Sequence, residues 1–98
     1  MFILKGQTAA RLLLQTGINF DNTEVKECNI HYTKPSGATG IWPAQKLPNS
    51  DLGKIYVDFS DDVKFDEGGI WILNAELVFS DNRVAYGNTV RYQVKNTA

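Results

Sequence analysis

Cysteine, histidine and proline are all scarce in this 98-residue sequence, which has one cysteine, one histidine and three prolines. Because Cys28 is the single cysteine, no disulfide can form within the chain. Small secreted domains usually carry several disulfides. The sequence therefore favours folding in a reducing cytoplasm.

The sequence also lacks long apolar runs and an excess of either charge. No run approaches the ~20 apolar residues that a membrane-spanning helix needs, and residues 1–17 lack the basic segment and continuous apolar stretch of a signal peptide. Ten basic and eleven acidic residues leave a net charge of −1, which offers no electropositive surface to a nucleic acid or an anionic membrane. We therefore expect a soluble protein with neither kind of partner.

Sets of residues that catalyse reactions or hold metals are missing as well. Cys28 and His31 should point to opposite faces of one strand, so they do not begin a zinc site. We interpret His31 as a solvent-facing residue and Cys28 as a small core residue, with a reactive thiol as the alternative. A cluster of five carboxylates lacks the spacing of a calcium-binding loop, and solvated side chains are favoured over a calcium site for Asp58, Asp61, Asp62, Asp66 and Glu67. The sequence predicts neither an enzyme nor a cofactor.

What the sequence does contain is a two-residue periodicity of apolar and polar side chains, which is typical of half-buried strands. In the first clear segment, Cys28, Ile30 and Tyr32 share one face, and Asn29 and His31 lie on the other. The same alternation recurs in three later segments, at residues 54–59, 70–79 and 89–95.

These segments predict an all-β protein. Residues 8–15 fit either a strand or a short helix, and their β neighbours favour a strand. Turn residues separate the segments, notably Pro35-Ser36-Gly37 and the hairpin loop at 80–83. The pattern predicts one domain, residues 1–98, with an immunoglobulin-like antiparallel β-sandwich of six to eight short strands and no disulfide.

The two tryptophans differ in their setting. Trp71 lies on the large apolar face of the longest predicted strand, so we predict that it is a core anchor. Trp42 precedes Pro43, which has no N–H to donate and belongs at a sheet edge. Two placements are open for Trp42: folded over the margin of the sheet, or exposed as an interface anchor.

Several short motifs resemble those of a known family. They are Thr16-Gly17-Ile18-Asn19, the strand end from Tyr32 to Gly37, Gly69-Ile70-Trp71, Asp81-Asn82-Arg83 and the closing segment from Gly87 to Val90. With Ser36 and Asn82 in place of the usual Asp and Gly, this order resembles small immunoglobulin-like modules of bacteriophage tail and baseplate proteins, such as the N-terminal domain of the siphophage upper baseplate protein.

The resemblance implies a non-enzymatic structural component of a virion, made in the host cytoplasm and bound to other phage structural proteins in a symmetric assembly. Edge strands carry unpaired N–H and C=O groups that recruit partners, so we predict an interface on sheet edges and loop tips, at Trp42 and at the outward residues Arg91, Gln93 and Lys95 of the last predicted strand. The alternative is a domain that binds a carbohydrate or a host surface on a platform of Trp42, Tyr56 and Tyr86. A regulatory protein made during infection is a third possibility, and no specific residue favours it.

Overall fold

The computed structural model describes residues 3–4, 6, 8, 10–17, 25–47, 53–87 and 89–95, and these contain strands and no helix. The strands are β1 (Ile3–Leu4), β2 (Arg11–Gln15), β3 (Val25–Thr33), β4 (Thr39–Lys46), β5 (Lys54–Asp58), β6 (Gly69–Phe79), β7 (Val84–Tyr86) and β8 (Val90–Lys95). The prediction of an all-β immunoglobulin-like sandwich is confirmed, and β2 lies in the segment for which a strand was favoured over a helix. No helix in the described part of the chain is long and apolar enough to cross a lipid bilayer.

The strands form one strongly curled sheet that folds into the two layers of the sandwich. Its order is β1-β8-β6-β3-β4-β5-β2, and β7 pairs with β6 beyond the end of β8. Neighbouring strands are antiparallel except β1 and β8, which are parallel. We call the layer built on β8, β6, β3 and the first part of β4 the larger sheet, and the layer of β4, β5 and β2 the smaller sheet.

Strand β4 joins the two sheets. From Thr39 to Ala44 it pairs with β3, and at Gln45 and Lys46 it pairs with β5. Pro43 lies two residues before Gln45, in the part of β4 that pairs on one side only, where a residue without an N–H is tolerated. The two sheets are thus continuous along one side of the sandwich, and on the other side β2 ends the path.

Apolar side chains from both sheets fill the space between them, as the predicted alternation requires. The buried residues are Leu12, Leu14, Val25, Cys28, Ile30, Trp42, Ile55, Val57, Phe59, Phe65, Trp71, Leu73, Ala75, Leu77 and Val94. Among the described residues, no polar or charged residue is buried. Trp71 is fully buried, and its indole Nε1 donates a hydrogen bond to the carbonyl of Glu67 at 2.9 Å.

Trp42 lies in the core, with 6% of its surface exposed. The register explains its position, since Trp42 pairs with the buried Ile30 and therefore points to the same inward face. Its ring centroid is 4.6 Å from that of Tyr32 and 5.7 Å from that of Phe65. The prediction of Trp42 as an interface anchor is corrected accordingly, because a buried ring offers no surface to a partner.

The turn between β3 and β4 is tied to the segment that leads into β6. Gly37 has a φ of 95°, and its N–H donates to the carbonyl of Lys34, which closes the predicted reversal. The carboxylate of Glu67 accepts hydrogen bonds from the backbone N–H and the hydroxyl of Ser36, and Lys34 pairs with Asp66 at 2.9 Å. The predicted loop carboxylates thus include two that fix the corner of the sandwich.

Candidate interaction face

The side of the larger sheet that faces away from the core carries a hydrogen-bonded polar cluster, and we call this side the outer face. The register places Asn29 of β3 beside Glu76 of β6, and Glu76 beside Tyr86 of β7. His31 lies one row away, between Ile41 and Asn74. These side chains meet because alternate residues of neighbouring strands project from the same side of a sheet.

Glu76 is the centre of the cluster. One carboxylate oxygen accepts a hydrogen bond from Asn29 Nδ2 at 3.0 Å, and the other lies 3.1 Å from His31 Nε2. Burial of the Glu76 carboxyl raises its pKa, but hydrogen bonds from Asn29 and Tyr86 and the proximity of His31 outweigh burial, so the pKa lies below the ordinary value of 4.5. Glu76 is therefore an ionised side chain held in one position.

The contact between His31 and Glu76 is electrostatic rather than a well-aligned hydrogen bond. The His31 Nε2 atom is shielded from solvent, and no described group makes a hydrogen bond of good geometry with it. The imidazole also meets the Tyr86 ring edge-on, with centroids 6.1 Å apart and planes at 71°. His31 faces outward, as predicted, but it is part of a cluster rather than a lone surface residue.

Large apolar side chains are exposed on the same face: Ile41 lies beside His31 and Tyr86 beside Glu76, and Ile70 lies six residues from Glu76 along β6. Ile41, Ile70 and Tyr86 expose 53%, 52% and 64% of their surface. A groove of about 320 Å³ lies next to the cluster, lined by His31, Tyr32, Thr33, Thr39, Gly40 and Ile41. The outer face therefore combines a fixed polar centre with apolar side chains that are open to solvent.

The other predicted interface residues lie on β8. Arg91, Gln93 and Lys95 are exposed, as their alternation predicts. However, β8 is not a free edge along its whole length, because Val94 and Lys95 pair with Ile3 and Leu4 of β1. Whether these residues form an interface stays a prediction.

The structure does not assemble the aromatic platform of the alternative function. Trp42 is in the core, Tyr56 lies on the smaller sheet and Tyr86 lies on the larger sheet. The Tyr56 ring is also covered by Arg11, whose guanidinium carbon is 4.2 Å from the ring centroid. The three aromatic side chains therefore share no surface.

Residues predicted to be chemically inert occupy separate places. The Cys28 thiol is buried, and burial raises its pKa. Asp58 pairs with Arg11 and Asp66 with Lys34. No group of three or more His, Cys, Asp or Glu side chains in the described part of the chain is arranged to hold a metal ion.

Sequence reasoning placed Asn29 and His31 on the outward side of one strand but did not bring them together with Asn74 and Glu76. Asn29 and Glu76 are 47 residues apart, and alternation within each strand says nothing of the register between strands. One feature of the sequence could have indicated the cluster. Two strands that each have one apolar face carry several hydrogen-bonding side chains on their other face.

The comparisons with known proteins support the fold and do not assign a family. No protein-family model and no curated protein matches the chain. Among solved structures, the chain is similar to CopC from Methylosinus trichosporium OB3b, with a TM-score of 0.59 and 12% identity over 100% of this chain and 88% of that chain. At this identity the similarity shows the fold alone.

The prediction of a bacteriophage structural module is wrong. The structural similarity is to CopC, which is not a tail or baseplate protein. The motifs behind the resemblance mark turns and strand ends, such as the reversal at Gly37 and the left-handed Asn82 with a φ of 70°. Such positions recur wherever a sandwich needs tight turns. The motifs therefore indicate a β-sandwich and do not distinguish a virion protein from other sandwich proteins. The virion location and the phage partners rested on the same resemblance.

Proposed function

We propose that this protein is a non-catalytic binding domain that takes up a protein partner on the outer face of its larger sheet. The observation that carries the proposal is the exposure of Ile41 and Tyr86 beside the fixed Glu76 cluster, with Ile70 exposed farther along the same face. Protein interfaces are enriched in tyrosine and depleted of charged side chains at their centre. On the outer face Tyr86 and Ile41 lie beside one central carboxylate, that of Glu76, which is ionised but only 15% exposed and is hydrogen-bonded within the face.

The polar cluster is ordered before a partner binds, and this favours a partner that binds in one orientation. Asn29 and His31 hold the Glu76 carboxylate in one position before any partner arrives. Side chains that are already ordered lose little conformational entropy on binding. The neighbouring groove beside Ile41 adds a concave surface for a partner side chain.

A binding role fits the chain better than catalysis. The single thiol, Cys28, is buried and its pKa is raised, so it does not supply a thiolate nucleophile at neutral pH. The single histidine, His31, is held against Glu76. The net charge of −1 favours a protein over a nucleic acid as the partner.

Site-specific photo-crosslinking in cells of the source organism tests the proposal. A benzophenone amino acid replaces Tyr86 in one variant and Tyr56, on the smaller sheet, in a matched control. We expect a discrete crosslinked protein band from position 86 and none from position 56. Equal crosslinking at both positions, or none at position 86, overturns the proposal.

A second variant tests whether the exposed apolar side chain of Ile41 contributes to the crosslinked contact. Ile41→Asp, added to the chain that carries the crosslinker at position 86, places an unpaired charge beside the groove. We expect the band to disappear while circular dichroism shows the same fold. A band of unchanged intensity contradicts a contact across this face.

A further inference from the structure

Strand β2 ends the smaller sheet, and among the described residues no strand pairs with its second edge. Its five residues pair with β5 on one side, and no other described strand pairs with it. A groove of about 370 Å³ runs beside this edge, between β2 and β8, with Leu13, Leu14, Val90 and Tyr92 among its lining residues. In the described part of the chain, therefore, no backbone pairing joins β2 to β8 along this side, which we call the seam.

The hydrogen bonds at the two ends of β2 show which backbone groups face the seam. The Phe59 N–H donates to the Ala10 carbonyl, and the Thr16 N–H donates to the Gly53 carbonyl. In an antiparallel pair, hydrogen-bonded and non-hydrogen-bonded positions alternate. Leu12 and Leu14 therefore bond to β5, and the N–H and C=O groups of Arg11, Leu13 and Gln15 point away from β5 to the seam, where Gly87 lies close to the Gln15 carbonyl.

This edge is complementary to itself. When two copies of β2 run antiparallel with Leu13 opposite its own copy, Arg11 lies opposite Gln15, and each of the three facing pairs exchanges two backbone hydrogen bonds. No like charges face each other in this register. The Arg11 guanidinium is already directed along the sheet to Asp58, with its Nε atom 2.6 Å from the carboxylate.

The edge of β8 lacks this property. In the equivalent pairing about Gln93, Arg91 would face Lys95 of the second copy, and like charges directly opposite each other destabilise a strand pair. Strand β1 also occupies that edge at Val94 and Lys95. The like charges on β8 and its pairing with β1 therefore favour β2 over β8 as the edge that binds a second copy.

The geometry points to self-association, in which two copies of this chain pair through their β2 strands about a two-fold axis at Leu13 and join their smaller sheets into one. The Leu13 side chain, which is 43% exposed in the single copy, packs against its counterpart on the solvent side of the joined sheet. Leu12 of one copy meets Leu14 of the other on the inner side. This contact leaves the outer face of the larger sheet free, so it is independent of the proposed function.

Sedimentation velocity over a concentration series tests the inference. We expect wild type to pass from a species of 11.0 kDa to one of twice that mass as concentration rises. Leu13→Lys sets two ammonium groups opposite each other at the axis, and we expect at least a tenfold weaker dimer. Gln93→Lys adds the same charge at an exposed site on β8 and should dimerise like wild type.

Two further measurements distinguish loss of the dimer from loss of the fold. Leu13→Pro removes an N–H that makes no bond to β5, and it should also be monomeric with an unchanged circular dichroism spectrum. In wild type, amide exchange at residues 11, 13 and 15 should slow as concentration rises. A wild type that stays monomeric, a folded Leu13→Lys that dimerises normally, or a dimer lost only in Gln93→Lys overturns the inference.

Discussion

The rings of Trp42 and Trp71 stack in the core, with centroids 5.9 Å apart and planes 24° from parallel. Trp42 comes from the hairpin corner and Trp71 from the longest strand, so this contact joins β4 to β6 across β3. Phe65 meets both rings edge-on, at centroid distances of 5.7 and 4.8 Å. The aromatic cluster thus holds the corner of the sandwich to its central strands.

Removal of either tryptophan should destabilise the fold strongly. Truncation of a large buried aromatic side chain costs about 3–5 kcal/mol, against a total stability of about 5–15 kcal/mol for a typical domain. We expect Trp42→Ala and Trp71→Ala to lose amounts in this range in urea unfolding. Ile70→Ala, at an exposed position of β6, is the control and should lose less than about 1 kcal/mol. If Trp42→Ala behaves like the control, its ring does not stabilise the core.

The glycine that begins β6 should tolerate no side chain. Gly69 has a φ of 125°, and a Cβ added there would lie 2.9 Å from Cβ and Cγ of the rigid Pro35 ring. Gly37 also has a positive φ, 95°, but an added Cβ would meet nothing within 4 Å. Backbone strain alone costs about 1–2 kcal/mol, so Gly37→Ala should lose that much in thermal unfolding and Gly69→Ala clearly more. Equal losses would show that the Pro35 contact has no energetic effect.

The Glu76 cluster should make stability depend on pH in the acid range. Because the folded pKa of Glu76 is lowered, its contribution is fully present above the ordinary pKa of 4.5 and is lost as the pH falls through the folded value. We expect Glu76→Gln to be less stable than wild type by about 1–2 kcal/mol at pH 7, with the difference shrinking below about pH 4. The exposed Glu27→Gln on the same face should change stability less at pH 7. A difference for Glu76→Gln that is constant with pH would contradict this account.

Calcium should leave the melting temperature unchanged. A cation that binds only the folded state must raise that temperature, and the carboxylates of Asp58, Asp66 and Glu67 are engaged by Arg11, Lys34 and Ser36. Differential scanning fluorimetry with added calcium and with a chelator measures the effect. A rise of several degrees with calcium would show a site that uses these loop carboxylates after all.

Much of the secondary structure was determined by the sequence itself. The alternation of residues 70–79 decides which side chains of β6 are buried, because successive residues of a strand project to opposite sides. The turn at Gly37 and the loop at Asn82 follow from residues that accept a positive φ. These are local effects, and neighbouring residues are enough to produce them.

The tertiary structure alone decided where the candidate interaction surfaces lie. Trp42 is buried because β4 pairs with β3 in a register that sets it beside Ile30, and the Glu76 cluster exists because residues 47 positions apart became neighbours. The unpaired edge of β2 in the described part of the chain follows from the strand order, which no single segment contains. Register and order depend on how all the apolar faces are buried together, and for that reason local sequence patterns predicted the strands but not the surfaces they form.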